Sequence, residues 1–291
     1  MIAVKKNYLP QTLEEALSLL FKEPEARLIA GGTDLLVKAR HNRWKDIIFI
    51  SLCNVKELCG VSKTENGDIH IGPMTTFAKL AENELVKSRL PMLVDAALSM
   101  GGPQIRNAAT IGGNVCNGAA SADSAPALFA LDAKLRLVSN KNEREVEISN
   151  FYQGPSKVDL LHGEILTGII IKAIPEGKFK CKYKKFSTRK AMDISTMGCA
   201  AAYLLDENGL IKTASIALGT AAPTPVRCRE AEAILIGKEP AASLWEKAGE
   251  EALKSIQPRS SWRASADYRK ALAQALVAQT LNEAYMAAES L

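Results

Sequence analysis

Apolar residues in the first fifty positions predict an alternation of strands and helices. A capping box, Thr12-Leu-Glu-Glu15, precedes apolar residues at helical spacing, and Pro24 ends this helix. The runs Leu28-Ile-Ala30 and Ile47-Ile-Phe-Ile50 are continuously apolar, which is typical of buried strands. The spacing therefore predicts a small α/β unit in the order strand, helix, strand, helix, strand.

The turn after the second strand carries the first candidate chemistry. The chain bends at Gly31-Gly32 and continues with Thr33 and Asp34, both residue types that cap helix N-termini. Because glycine has no Cβ, the backbone can approach a phosphate, and free N–H groups can bind it. The turn predicts a pyrophosphate site. An ordinary tight turn is the alternative, since neither Gly-x-Gly-x-x-Gly nor Gly-Lys-Ser/Thr occurs here.

The middle of the chain predicts a second, larger unit. Residues 68–73 alternate polar with apolar and predict a strand, and Thr75 or Thr76 is expected to cap a helix that runs through Asn83. Glycines between 101 and 118 predict irregular loops. The other helices are expected at 91–100 and 124–131, and the other strands at 135–138, 146–148 and 165–174.

Strands followed by helices predict a separate α+β domain at the C-terminal end. Residues 198–205 and 210–218 predict an antiparallel hairpin. In the last predicted helix, Tyr268, Leu272 and Leu276 form an apolar stripe that is expected to pack in the core. The helices are predicted at 229–236, 241–256 and 265–287, and the domain boundary is placed near Glu176-Gly177.

One strand, residues 179–185, contains a lysine on its apolar side. Lys180, Lys182 and Lys184 share one face, which is expected to be solvated. Lys185 falls on the opposite, apolar face, where a lysine needs a partner. The alternative is that the strand ends at Lys184.

Composition narrows the functional class. The 291 residues suffice for two domains, and 47% hydrophobic with 24% charged residues is ordinary for a globular protein. A net charge of +5 gives little support for nucleic-acid binding, and no apolar run reaches the length of a membrane span. No secretory signal is visible, and six scattered cysteines without a Cys-x-x-Cys pair favour free thiols in the cytoplasm and disfavour a zinc or iron–sulfur site.

A second double glycine lies more than seventy residues after the first. The two motifs read Ala30-Gly-Gly-Thr-Asp-Leu35 and, within residues 104–114, Thr110-Ile-Gly-Gly-Asn114. With Ser121-Ala-Asp-Ser124, this pairing resembles the FAD-binding subunits of molybdenum hydroxylases over the whole chain. Further motifs at 112–119, 191–201, 221–227 and 258–265 resemble the bacterial xanthine dehydrogenase type.

The resemblance implies a fold and a domain organisation. It implies a two-subdomain FAD-binding fold of the vanillyl-alcohol-oxidase type in residues 1–176, followed by a C-terminal α+β domain with an antiparallel sheet and helices in residues 177–291. The small subdomain is expected at about 1–53 and the larger one at about 54–176.

The resemblance also implies cofactor-binding residues. The first motif would wrap the FAD pyrophosphate, and the second would form another wall whose N–H groups face phosphate or ribityl oxygens. The implied residues are Ile29, Ala30, Gly31, Gly32, Thr33, Asp34, Leu35, Leu36, Thr110, Ile111, Gly112, Gly113, Asn114, Cys116, Asp123, Leu166 and Lys185.

Four of these residues carry particular interpretations. The Asp123 carboxylate would bond FAD, or it caps the helix that follows. Lys185 and Leu166 match positions near the flavin, where a cation stabilises the reduced anionic ring. Cys116 matches an apolar position near the ring, and a buried small hydrophobe is favoured over a redox role.

The implied function is an electron-transfer subunit. A molybdenum-cofactor large subunit would hydroxylate the substrate, and electrons would pass through 2Fe–2S clusters on a small subunit to FAD and then to NAD+, or to O2. The chain itself needs no general base, nucleophile or metal site. The alternatives are a sister hydroxylase for nicotinate, carbon monoxide or an aromatic thioester, and an assembly or nucleotide-sensing module without redox chemistry.

Overall fold

A computed structural model describes residues 2–175 and 179–286. The N-terminal part forms a small subdomain from five elements. These are β1 (Val4–Tyr8), α1 (Leu13–Lys22), β2 (Arg27–Ile29), α2 (Leu35–His41) and β3 (Ile47–Ser51). β1 and β2 both pair in parallel with the central strand β3, so α1 and α2 are crossover helices. The order of elements is the one that the apolar pattern predicts.

The start of α1 follows its sequence signal. The Thr12 side chain accepts a hydrogen bond from the Glu15 N–H at 3.1 Å, which satisfies one of the free donors of the first turn. The Glu15 carboxylate accepts a hydrogen bond from the Gln11 N–H at 2.8 Å. Leu17 and Leu20 then pack with Ile50 in the core of the small subdomain.

A five-stranded antiparallel sheet and a layer of helices form the larger subdomain. The strands are β4 (Val61–Lys63), β5 (Ile69–Ile71), β6 (Lys134–Val138), β7 (Glu143–Glu147) and β10 (Ile165–Ile171), and their order is β4-β5-β10-β6-β7. The helices are α3 (Phe77–Glu82), α4 (Glu84–Arg89), α5 (Pro91–Ser99), α6 (Pro103–Ala108), α7 (Ile111–Asn117), α8 (Ser124–Ala130) and α9 (Ile148–Phe151). A short hairpin, β8 (Tyr152–Gly154) and β9 (Lys157–Val158), completes it. Phe77, Met92 and Ile169 are fully buried between the helices and the sheet.

The glycine-rich stretch differs most from its prediction. Loops are expected over 101–118, but α6 and α7 occupy most of it. Pro103 stands in the first turn of α6, where its missing N–H costs nothing, and Thr110 caps α7 through its side chain. These start signals outweigh the poor helix propensity of two glycines. The strand predicted at 146–148 is also shifted, because Ile148 already begins α9.

The C-terminal domain has a four-stranded antiparallel sheet covered by helices. Its elements are β11 (Phe179–Phe186), β12 (Met197–Leu205), β13 (Ile211–Gly219), β14 (Val226–Arg227), α10 (Arg229–Ala233), α11 (Ala242–Ala252) and α12 (Ala266–Met286). Trp245 of α11 and Tyr203 of β12 lie with ring centroids 5.5 Å apart in the core. The predicted α+β domain with an antiparallel hairpin is confirmed.

Two side-chain predictions for this domain are wrong. Lys182 forms an ion pair with Asp95 at 3.0 Å and Lys184 pairs with Glu283, so the lysine face of β11 is not simply solvated. Tyr268 is 49% exposed and lies outside the core, so the predicted stripe is wrong at this position, whereas Leu276 is buried and Leu272 packs against the core as expected. The buried residues of α12 are Arg269, Ala273, Leu276, Val277, Thr280, Leu281 and Ala284.

The boundary near Glu176-Gly177 lies outside the described residues and stays a prediction, as does the end of the last helix at Ala287.

A buried arginine joins the two domains. Arg227 donates hydrogen bonds to the Phe129 carbonyl at 2.9 Å and to the Glu232 carboxylate at 2.6 Å.

Among the described residues no helix has the length and apolar composition needed to cross a membrane, and no group of side chains is arranged to hold a metal ion.

Candidate cofactor-binding site

A cavity of about 610 Å³ lies between the small and the large subdomain. Both double-glycine motifs line it, although they are far apart along the chain. The predicted site residues that line it are Ala30, Gly31, Gly32, Thr33, Asp34, Leu35, Thr110, Gly112, Gly113, Asn114, Cys116 and Leu166. The predicted site residues outside its lining are Ile29, Leu36, Ile111, Asp123 and Lys185. The shared cleft that the two motifs predict is therefore present.

The first glycine turn touches the segment that leads into the second motif. A Cβ on Gly31 would lie 1.8 Å from the Ala108 carbonyl oxygen, a distance that no side chain can occupy. Gly32 has φ +71°, in the left-handed region that favours glycine. Both glycines are thus required, one by the close backbone approach and one by its conformation.

The first turn also keeps its N–H groups free. Within the described part of the chain, the N–H groups of Gly32, Thr33 and Asp34 donate no hydrogen bond to the backbone or to a side chain. Asp34 stands at the N-cap position of α2, but its side chain makes no capping hydrogen bond. Because N–H donors need acceptors, a cavity lined by free N–H groups suits an anionic ligand.

The second glycine motif uses its N–H groups differently. Gly112 donates to the Pro73 carbonyl at 2.9 Å, and Gly113 donates to the Thr110 hydroxyl at 3.1 Å. A Cβ on Gly112 would lie 2.3 Å from the Pro73 Cβ. The expectation that these N–H groups face phosphate is therefore wrong for Gly112 and Gly113, because they start α7 and fix it against the strand side of the cavity.

One lysine bridges the two motifs and was missed at the sequence level. Lys38 of α2 donates a hydrogen bond from Nζ to the Asn117 carboxamide oxygen at the end of α7, and both residues line the cavity. Lys38 follows Asp34 by four residues, so both lie on one side of α2. This spacing was the available signal for a cation beside the turn.

A second missed feature is the wall formed by residues 160–166. Arg144 of β7 donates to the Glu164 carboxylate at 2.7 and 2.9 Å and to the Asp159 carboxylate at 2.8 Å. Glu164 also accepts the Leu161 N–H at 2.8 Å. The hydrogen bonds from Arg144 lower the pKa of Glu164, which keeps the carboxylate charged and the wall fixed. No local sequence signal connects a strand arginine with a loop twenty residues later.

Asp123 and Lys185 come together, but behind the cavity wall. Lys185 Nζ lies 2.9 Å from the Asp123 carboxylate and 3.1 Å from the Ser99 carbonyl. Ser195 and Tyr183 donate to the other carboxylate oxygen at 2.7 and 3.3 Å. Burial raises the pKa of Asp123, and the Lys185 charge opposes that effect.

These contacts bear on two of the open alternatives. β11 continues to Phe186, so Lys185 does point inward and has a partner. Asp123 stands at the N-cap position of α8, as the helix-cap interpretation predicts, but its carboxylate makes no capping hydrogen bond. Ser99 precedes Met100, which lines the cavity, so the pair lies one residue behind the wall.

Cys116 lines the cavity and remains a thiol. Burial raises its pKa to about 12, far above neutral pH. A thiol that stays protonated is a poor nucleophile and metal ligand. Its environment supports the interpretation as a small hydrophobic residue.

Comparison with known families covers nearly the whole chain. Residues 3–173 match the family described as the FAD binding domain in molybdopterin dehydrogenase, and residues 182–284 match the CO dehydrogenase flavoprotein C-terminal domain. The chain belongs to the FAD-binding subunits of the molybdenum hydroxylases.

Relatives and solved structures agree with this family. The chain is 43% identical to the xanthine dehydrogenase FAD-binding subunit of Escherichia coli O157:H7, over 95% of this chain and 94% of the relative. It is 34% identical to the nicotinate dehydrogenase FAD-subunit of Eubacterium barkeri, over 79% of each chain. A chain of carbon monoxide dehydrogenase from Hydrogenophaga pseudoflava superposes with a TM-score of 0.92 at 29% identity, covering 98% of this chain and 99% of that one.

These findings confirm the predicted family and the two-domain fold of this flavoprotein subunit. The relatives are named as subunits or medium chains, as expected for one part of a larger enzyme. The cavity fits a dinucleotide that carries a pyrophosphate, because its walls approach closely at glycines and it contains free N–H donors and Lys38. The individual cofactor contacts of the lining residues stay predictions.

Proposed function

We propose that this chain binds FAD between its two subdomains and serves as the electron-transfer subunit of a xanthine dehydrogenase-type complex. In that complex it pairs with a molybdenum-cofactor large subunit and a 2Fe–2S small subunit, and NAD+ is the electron acceptor. The observation that carries the proposal is a cavity flanked by both glycine motifs, one of which keeps its N–H groups free.

The first turn holds the pyrophosphate in this proposal. The N–H groups of Gly32, Thr33 and Asp34 donate to phosphate oxygens, and the Lys38 ammonium supplies positive charge beside them. Lys38 is already oriented by its hydrogen bond to Asn117, so little side-chain freedom is lost when the ligand binds.

The remaining walls orient and shield the cofactor. Leu166 and the residues before it in the wall 160–166, which Arg144 holds in place, enclose one side of the cavity. Cys116 contributes an apolar contact on another side. FAD held by these residues would supply the redox chemistry between the 2Fe–2S clusters of the partner and NAD+. In this proposal Lys185 holds Ser99, the residue before Met100 of the cavity lining, and the Asp123 carboxylate balances its charge.

The degree of identity supports xanthine as the substrate of the complex. Identity is 43% to the xanthine dehydrogenase subunit, compared with 34% to the nicotinate and 31% to the carbon monoxide relatives. The hydroxylation pocket belongs to the large subunit, so turnover by the purified complex distinguishes these substrates. Six free cysteines agree with assembly in the reducing cytoplasm.

Flavin retention and reduction test the proposal. The isolated chain should purify yellow, and NADH should bleach the bound flavin under anaerobic conditions. Replacing Gly32 with Val should prevent flavin retention, because φ +71° is strained for a β-branched residue. A folded, colourless chain that takes up no FAD on reconstitution would contradict cofactor binding. Flavin that NADH leaves oxidised would instead favour a module without NAD-linked redox chemistry.

A further inference from the structure

A loop before α12 presents a tryptophan to solvent on a well-ordered support. Trp262 is 84% exposed, the highest value among the large hydrophobic side chains with marked exposure. Ser261 donates its N–H to the Ala264 carbonyl at 2.9 Å, and the Ser260 hydroxyl accepts the Ala266 N–H at 2.9 Å. The bulky exposed ring is therefore held by a hydrogen-bonded turn.

Three arginines belong to the same segment as this tryptophan. Arg263 lies over the Trp262 ring at 4.2 Å, and Arg259 is exposed on the same loop. Arg269, on the first turns of α12, is only 5% exposed. In residues 2–175 and 179–286, no carboxylate lies within ion-pair distance of any of the three, although Asp267 stands close by in sequence. We call residues 257–269 the Arg–Trp loop.

Arg269, the buried arginine, carries a positive charge that no carboxylate of the described residues neutralises. Arg269 donates to the Thr196 carbonyl and, at 3.1 Å, to the Ser261 hydroxyl, but its Nε has no acceptor in the described structure. Burial and the charges of Arg259 and Arg263 lower its pKa. Carbonyl groups solvate the guanidinium but leave its positive charge uncompensated. A carboxylate supplied from outside the chain would offset that cost.

The exposed aromatic surface of the Arg–Trp loop extends to β11. Tyr268 lies 6.3 Å from Phe186, measured between ring centroids, and both rings are partly exposed. Phe186 directly follows Lys185, whose ammonium contacts Ser99 behind the cavity wall. Tryptophan, tyrosine and arginine in one patch are the residue types that dominate binding energy at protein interfaces.

We propose that the Arg–Trp loop is the docking surface for a carboxylate-bearing face of the 2Fe–2S small subunit. The proposal rests on the proposed function, because it assigns a surface to the subunit that delivers electrons. The charge of the loop selects an acidic partner. Its continuity with Phe186 brings that partner to the strand whose Lys185 contacts Ser99, the residue before Met100 of the cavity lining. Trp262 is the anchor, and Arg259 and Arg263 pair with the carboxylates.

A photocrosslinker at position 262 identifies the occupant directly. The complex is assembled from coexpressed subunits with p-benzoylphenylalanine in place of Trp262 and then irradiated. The expected product is a covalent adduct with the 2Fe–2S small subunit, identified by mass spectrometry. An adduct with the large subunit alone, or no adduct in an intact complex, would overturn the assignment. The same probe at Phe21, an exposed aromatic of the small subdomain, is the control.

Charge reversal tests whether the arginines contribute to binding of the small subunit. The double variant Arg259→Glu/Arg263→Glu should lower the amount of small subunit that co-purifies by at least tenfold, and Trp262→Ala should act in the same direction. Arg40→Glu, an exposed arginine elsewhere, should leave co-purification unchanged. Full co-purification of the reversed variants would refute the proposal.

Flavin content and anaerobic bleaching by NADH should stay unchanged in every isolated variant. The two proposals can therefore fail separately. A chain without substitutions that lacks flavin would count against the proposed function, and the docking surface would still be judged by the crosslink.

Discussion

The two glycine motifs look alike in sequence and differ in structure. Each is a double glycine next to a threonine, and both line one cavity. In the second motif, Gly112 and Gly113 donate their N–H groups to protein oxygens and begin a helix. In the first, Gly32, Thr33 and Asp34 keep their donors free. A glycine pair can therefore leave its donors open or use them within the fold, and only the acceptors around it tell which.

This difference separates two kinds of contribution to a cofactor site. The second motif stabilises the fold, since Gly112 allows α7 to approach Pro73 closely. The first motif adds little to the fold through hydrogen bonds, so its donors are available to a ligand. Substitutions in the two motifs should consequently separate loss of binding from loss of stability.

The largest effect is expected at the contact between the motifs. Gly31→Ala places a methyl group 1.8 Å from the Ala108 carbonyl oxygen, so the turn must move away from the second motif. FAD affinity should fall by on the order of a hundredfold, about 3 kcal/mol. Titration of the apo chain with FAD measures this.

Gly154→Ala is the matched control, because a Cβ there meets no atom within 4 Å. It should bind FAD normally. If Gly31→Ala also binds normally, the two motifs do not depend on their close approach.

The second motif should respond through stability. Gly112→Ala introduces a methyl group against Pro73 in a packed contact, and overpacking of this kind costs about 1–3 kcal/mol. Denaturant unfolding of the apo chain should show the loss even without FAD. An unchanged unfolding midpoint combined with weakened FAD binding would reverse the roles that we assign to the two motifs.

The lysine between the motifs should affect binding but not folding. Lys38→Met removes a charged donor beside the first turn, and FAD affinity should fall about tenfold, in the range of a charge-assisted hydrogen bond. The affinity of the original chain should decrease more steeply with salt than that of the variant. Lys79→Met, an exposed lysine on α3, serves as the control. Equal affinities for both variants would exclude Lys38 from the anion site.

The smallest effect is expected at Glu164, through which Arg144 holds the cavity wall, and this effect depends on pH. Hydrogen bonds from Arg144 lower the pKa of Glu164 below its ordinary value of 4.5. Its contribution to stability is therefore complete above pH 4.5 and is lost as the pH falls through the lowered value. Glu164→Gln should destabilise the chain by on the order of 1 kcal/mol at neutral pH. The difference from the original chain should vanish in acid. A difference that is constant with pH would contradict the ion-pair account.

Local signals in the sequence were sufficient for much of this structure. Apolar periodicity predicts the small subdomain in the correct order, and the glycine pairs predict a shared cleft. Lys185 was found because it interrupts the alternation of β11, and the structure gives it Asp123 as a partner. In each of these cases the signal for the feature lies within one element or one motif, even where its partner is distant.

Other features depend on contacts between distant segments. The helix α7 over Gly112-Gly113 needs the Pro73 carbonyl as an acceptor, and the Arg144 clamp needs β7 to lie beside the loop after β9. The exposure of Tyr268 depends on which stripe of α12 meets the sheet. Spacing along the chain does not encode these partners.

Amide hydrogen exchange at the glycines tests the central claim most directly. In a sample labelled with ¹⁵N-glycine, the Gly32 N–H should exchange rapidly in the apo chain and become protected when FAD binds. The Gly112 and Gly113 N–H groups should be protected in both states. Protection that FAD induces at Gly112 and Gly113 while Gly32 stays unprotected would contradict the assignment of the pyrophosphate to the first turn.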